Sequence, residues 1–168
     1  FYDSSDSDII ESILGNAGIN ASVEQSNYNH PQLIQYQTTD WDFILLRAQI
    51  NGFLCFLEGN TIEFKKPDLS TEAVITLEYG LNIYDFDGEI DARNALKTIT
   101  SYTWNSSDQE VSEREASTSN ALELGNLTQM DLAEIVDLEN FRLNHGGNLT
   151  EEVLQDWADA KLQLHLLS

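Results

Sequence analysis

Residues 38–59, TTDWDFILLRAQINGFLCFLEG, constrain this chain more than any other stretch. They read as helix, turn and strand. Thr39 is placed to cap a helix, with Asp42 three residues on in the position of a capping-box acid. Trp41, Ile44, Leu45 and Ala48 recur at helical spacing, and Phe43, Leu46 and Ile50 widen the apolar face. A helix apolar on most sides is one that several neighbours bury. Gly52 ends it. The short aromatic run 53–57 follows, closed by Gly59 and Asn60, which signals a strand and a hairpin turn. The expected core gathers Trp41, Phe43, Leu45, Phe53, Phe56 and Tyr79, with Cys55 buried beside them.

The flanks supply shorter elements. Asp6 and Asp8 lie where a helix N-terminus favours negative charge, and Ile9, Ile10, Ile13, Leu14 and Ala17 follow at helical spacing until Gly18 closes the turn. Residues 20–32 are polar, contain Pro31 and read as a loop. Leu33, Ile34 and Tyr36 then predict a short strand feeding the central helix. Downstream, Ile62 and Phe64 alternate with Glu63 and Lys65, so 61–65 pairs with 53–57 as a hairpin. Residues 73–79 predict a further strand, ended by Gly80. No crossover helix separates these strands, so the fold class is α+β: short, mostly antiparallel strands, a buried helix and flanking helices.

In residues 83–91, Asp85, Asp87, Glu89 and Asp91 alternate with Tyr84, Phe86, Gly88 and Ile90, which places four acids on one face of a strand. Such a face suits a hard cation or a glycosidase carboxylate pair, or is simply solvated. Same-face neighbours stand about 7 Å apart, wide for one cation sphere, and nothing marks any of the acids as buried. Residues 96–104 predict a strand pairing with 83–91. Residues 105–120 lack apolar periodicity and read as an exposed excursion, the most mobile stretch of the chain. Weak apolar content resumes at 121–127. Thr128 then caps a short helix using Met130, Leu132, Ala133 and Val136. Residues 144–148 form a break. Thr150, with Leu149 before it and Glu151 and Glu152 after it, opens a last helix carrying Val153, Leu154, Trp157, Ala158, Lys161, Leu162 and His165 down one side. The division expected is an α+β core at 1–104, a variable, partly exposed segment at 105–148 and a terminal helix at 149–168.

With 8 basic and 29 acidic residues among 168, the net charge of −21 repels nucleic acid and anionic membranes. No apolar run reaches membrane-spanning length. Cys55 is the only cysteine, which excludes an internal disulfide. The sequons at Asn20, Asn105, Asn126 and Asn148 are those an Asn- and Ser-rich chain produces by chance. There is no phosphate-loop or dinucleotide glycine pattern and no zinc cysteine pair, and His30, His145 and His165 fall in different elements. No residue is assigned to catalysis, to a cofactor or to a metal, and the chain reads as a non-enzyme. Phe1 in place of Met and an uncapped last helix suggest a piece of a longer protein.

Taken together, these stretches resemble the hub region of the type VI secretion spike family, VgrG, related to baseplate hub proteins of contractile-tailed phages. SDSDIIESILGNAGI is similar to the helix opening the second half of that hub. LIQYQTTDWDFILLRAQINGFLCFLEG resembles its strand, Asp-Phe helix and Gly-aromatic strand. TLEYGLNIYDFDGEIDARNALKTITSYTW resembles the block that closes on Ser-x-x-Trp, and WADAKLQLHLLS the helix before the spike-side barrel. The likeness covers almost all of the chain outside residues 105–148. Thr38 and Thr39 replace an acidic residue and a serine of the family, and Leu46-Arg47 and Gln49-Ile50-Asn51 replace its Arg-Leu pair and Glu-Glu/Gly turn, which marks a divergent branch. The resemblance implies a structural hub that helps mount a needle on the inner tube of a contractile injection machine. It also implies a trimer in the full-length protein, with the inner tube protein and a spike tip or effector as partners. Assembly would occur in the cytoplasm, with delivery outside the cell or into a target cell. The alternative is a carbohydrate-active or acidic protein-binding module of the same particle. Without its neighbours this highly charged piece is expected to be mainly monomeric at micromolar concentration.

Overall fold

The computed structural model describes residues 1–68, 72–89, 92–117, 127–147 and 149–166. The expected Asp91, the weakly apolar run 121–126 and the break residue Asn148 lie outside them. Strand β1 (Tyr2–Ser5) leads directly into helix α1 (Asp6–Asn16). The Ser5 hydroxyl accepts the Asp8 N–H, and the Asp8 carboxylate accepts the Ser5 N–H, so the capping box satisfies two backbone donors at once. Ile9, Ile10, Ile13 and Leu14 are buried, as their spacing predicts. Residues 20–32 are not simply a loop. They supply β2 (Ala21–Val23) and β3 (Asn29–Gln32), the latter antiparallel to β1. Both are too short and polar to show a period-two pattern. The strand expected at 33–36 does not form, and Ile34 and Tyr36 are exposed.

Helix α2 (Asp40–Ile50) starts at Thr39, whose hydroxyl accepts the Asp42 N–H at 3.2 Å. Only one side of it is covered. Phe43, Ile44 and Ala48 are buried, whereas Trp41 is 45% and Leu46 50% exposed. The expectation of burial on most sides fails because α2 packs on α1, β4 and α4 and leaves its outer face uncovered. Gly52 follows at φ +71, and a Cβ there would lie 3.1 Å from Cβ of Ala160, so the turn needs glycine both for its backbone and for the close approach of the last helix. The hairpin of β4 (Leu54–Glu58) and β5 (Thr61–Lys65) forms as expected. On its other edge β5 pairs with β2 in parallel, giving the order β2-β5-β4. Phe64 of the central strand is fully buried against α1 and α2, and Phe53 joins it. Of the other residues expected in this core, Trp41, Phe56 and Tyr79 are exposed, and Leu45 and Cys55 are only half-buried.

The strands expected at 73–79 and 83–91 are absent from the described residues. Residues 72–89 form an irregular arm with one turn, in which Tyr79 and Ile83 make an isolated bridge. A 3-10 turn at Ala92–Asn94 leads into β6 (Ile99–Asn105). In place of 83–91, β6 has two partners: β7 (Glu110–Glu115) antiparallel and β8 (Phe141–His145) parallel. Strand β7 lies inside the stretch expected to be an excursion, where EVSERE carries too few apolar residues to signal a strand. Helix α3 (Gln129–Val136) begins at a Thr128–Asp131 capping box, but among its described side chains it buries Ala133 alone. Helix α4 (Glu151–Leu166) lies across β6 and β7, burying Val153, Leu154, Ala158, Ala160 and Leu162. Its Ala158 and Leu162 form a second core with Leu96 and Ile99. The α2–α4 contact at Gly52 joins the two cores.

Candidate interaction surface

Asp85, Asp87 and Glu89 sit on the irregular arm, all exposed, not on a strand face. Asp91 lies outside the described residues. Among the described residues no group of three or more His, Cys, Asp or Glu side chains is placed to hold a metal ion. Burial pushes the Cys55 thiol pKa up, which disfavours the thiolate that a nucleophile requires. His145 ends β8, with Nδ1 3.1 Å from the Gly147 N–H and its ring edge-on to Trp157.

A polar cluster at the start of α1 carries no signature in the sequence. Asp6, expected only as a favourable charge at the helix N-terminus, is buried. Its Oδ1 lies 2.9 Å from Nε2 of His30 and 3.6 Å from Nη1 of Arg47, and its Oδ2 accepts Nδ2 of Asn51 at 2.8 Å. A carboxylate only accepts, so Nε2 of His30 carries the hydrogen. Burial raises the Asp6 pKa, but the His30 hydrogen bond, the Arg47 charge and the Asn51 amide outweigh it and hold the pKa below its ordinary value. The cluster ties α1, β3 and α2 together. It reads as structure, although Nε of Arg47 is buried with no partner among the described residues and Arg47 also lines the groove described below.

Among the exposed apolar features of the described residues, three bear most on contact with another molecule; α3 and its flanks also expose Leu127, Met130, Ile135 and Leu138. The arm exposes Val74, Ile75, Leu77, Tyr79, Leu81, Tyr84 and Phe86, with Val74 fully exposed. Strand β4 is a sheet edge and leaves Leu54, Phe56 and Leu57 in contact with water; the ammonium of Lys65 lies 5.0 Å from the Phe56 ring centroid. Between α2, β8 and α4 a groove of about 390 Å³ is walled by Leu46, Ile50, Leu143, Trp157 and Leu164, with Arg47 and Lys161 at its polar positions. Exposed apolar surface of this kind is where a soluble domain meets other molecules.

This α+β arrangement has a counterpart among solved structures. It is similar to the 43 kDa tail protein of prophage MuSo2 from Shewanella oneidensis, with a TM-score of 0.59 and 16% sequence identity over 98% of this chain and 47% of that one. The chain therefore spans about half the length of that tail protein. No curated protein matches it. The chain belongs to the family described as the Alg8 N-terminal domain, whose model matches residues 1–168. Among the described residues, no helix is long and apolar enough to cross a membrane.

Proposed function

We propose that this chain is a structural part of the hub of a contractile injection particle, a type VI secretion spike or a phage-like tail, and helps mount the needle on the inner tube. The observation that carries the reading is that nearly the whole chain is accounted for by the fold of a prophage tail protein. The uncovered arm, the β4 edge and the α2–α4 groove support it, because an assembled hub would cover surfaces that a lone subunit leaves wet. On this reading the full-length protein is a trimer whose partners are the inner tube protein and a spike tip or effector. It assembles in the cytoplasm and leaves the cell on firing. Within it, residues 1–104 act as the hub core, 105–148 as a variable segment and 149–168 as the helix leading towards the spike. The carbohydrate-active alternative gains nothing from Asp85, Asp87 and Glu89, which are solvated and on irregular backbone.

The test is to locate the protein in particles purified from its source. A gold-labelled tag on this chain should decorate one end of each particle, and a strain lacking the gene should yield no spiked particles. Label distributed along the particle, or intact spiked particles in the deletion strain, would overturn the reading.

A further inference from the structure

We propose that the arm, residues 72–89 of one copy, docks in the groove between α2 and α4 of a second copy. The composition of the two surfaces is the first argument. In a chain with 29 acids and 8 bases, the groove has apolar walls, two bases and no acid; Arg47 faces the buried Asp6, which leaves Lys161 as its uncommitted charge. The arm holds Glu72, Glu78, Asp85, Asp87 and Glu89, no base, and exposed aliphatic and aromatic side chains. The two surfaces are alike in apolar character and opposite in charge. Lys161 makes no ion pair within its own chain among the described residues.

Shape is the second argument. Among the described residues that flank the arm, Pro67 lies beside α4, its carbonyl 3.5 Å from Nε2 of Gln163, and Leu96 belongs to the second core. The tip of the arm is closed by its own hydrogen bonds: Glu78 N–H to Oδ1 of Asn82 at 2.7 Å, Nδ2 of Asn82 to the Thr76 carbonyl at 3.0 Å and Gly80 N–H to the Ile83 carbonyl at 2.8 Å. The arm is thus partly preformed, and none of its residues lines its own chain's groove, with Tyr79, Tyr84 and Phe86 each more than three-quarters exposed. Preorganisation of this kind lowers the ordering cost of association. Those three rings alone offer on the order of 500 Å², over half of the ~800 Å² that each partner gives to a standard interface. The contact is heterologous, arm to groove, so it can link more than two copies in series or close a ring. It is independent of the particle reading: a label at the particle end could be found without arm docking, and arm docking without the label.

The test uses the 168-residue chain, an arm variant (Tyr84→Ser with Phe86→Ser) and a groove variant (Leu46→Ser with Lys161→Glu). Sedimentation equilibrium is run at hundreds of micromolar in about 0.5 M salt, where like-charge repulsion between copies is screened to within a few ångströms. The parent should associate, and each variant alone should bind itself at least about tenfold more weakly. An equal mixture of the two should recover a one-to-one pair and nothing larger, because one intact arm then meets one intact groove. That recovery also shows that both variants are folded. Leu57→Ser on the β4 edge should associate like the parent. A parent that stays monomeric, variants that associate like the parent, or a mixture that recovers nothing would each overturn the proposal, the last by pointing to an arm that serves its own chain or a different partner.

Discussion

Strands β5 and β6 are both centres of three-stranded sheets, each with one antiparallel hairpin neighbour and one parallel neighbour. Yet β5 buries Phe64 among eight other buried hydrophobic residues, whereas β6 buries Ile99 together with Thr100, Ser101 and Thr103. Those hydroxyls reach three different segments. Thr100 donates to Oδ1 of Asn140 at 3.0 Å, Ser101 to the Leu154 carbonyl at 2.7 Å, and Thr103 to the Gly147 carbonyl while accepting the Leu149 N–H. The first sheet is held by packing without direction. The second is held by directed bonds that fix where β8 and α4 must lie. A buried hydroxyl is tolerable only when satisfied, so each of these positions is specific in a way that Phe64 is not.

Removing the ring at Phe64 is the hardest blow to the first sheet. Phe64→Ala should cost about 3–5 kcal/mol in urea unfolding; a loss below about 1 kcal/mol would mean that packing does not hold that sheet. Phe56→Ala, in the same hairpin but exposed, should cost far less. Asp6→Ala should cost on the order of 3 kcal/mol, since it strands Arg47 and the Asn51 amide. The pH dependence has a defined sign. The pKa of Asp6 is depressed in the folded state, so its contribution is complete above the ordinary carboxylate value of about 3.9 and is lost as pH falls through the folded value. A stability–pH curve for Asp6→Asn should lack that acid-side loss, and a curve parallel to the parent's would remove the carboxylate from the cluster.

In the second sheet, Ser101→Ala deletes the donor to Leu154 and should cost about 1–3 kcal/mol. A value near zero would erase the contrast between the sheets. Gly52→Ala forces a left-handed backbone on alanine, at about 1–2 kcal/mol, and pushes a methyl group onto Ala160. Tryptophan fluorescence and far-UV circular dichroism, coincident in the parent, should separate if that contact couples the two cores. The smallest effect is expected on the arm. Asp85→Asn and Glu89→Gln should each leave stability within about 0.5 kcal/mol.

The same contrast explains what could be read from the sequence. The α1 spacing, the Thr39 and Thr128 caps, the 54–65 hairpin and α4 all announce themselves by apolar period or capping chemistry, and all are present. The second sheet was half-legible: β6 is β-branched and aromatic, but its partners FRLNH and EVSERE hide their role in polar, largely exposed residues. The clean alternation of Asp85, Asp87 and Glu89 misled because period two describes any extended chain, and among the described residues no neighbouring strand turns it into a sheet face. Of the candidate surface, the acids of the arm were visible. The groove was not, because Arg47 and Lys161 lie far apart in sequence and only the α2–α4 packing brings them together. Nor was the Asp6 cluster, for the same reason.

The position of α4 has a consequence for how the chain is made. Ser101 leaves the ribosome 53 residues ahead of its acceptor Leu154, roughly 3–10 s at ordinary elongation rates. For that interval β6 lacks its cover, and its stretch ITSYTW is β-prone, uncharged and free of proline, the composition that self-associates. Strand β7 is the first element to emerge behind it. The register sets Glu113 opposite Tyr102 and Glu115 opposite Thr100. Its charges would then line the nascent edge while β8 and α4 are still unmade, the gatekeeper placement that keeps a β-prone strand from pairing with another chain.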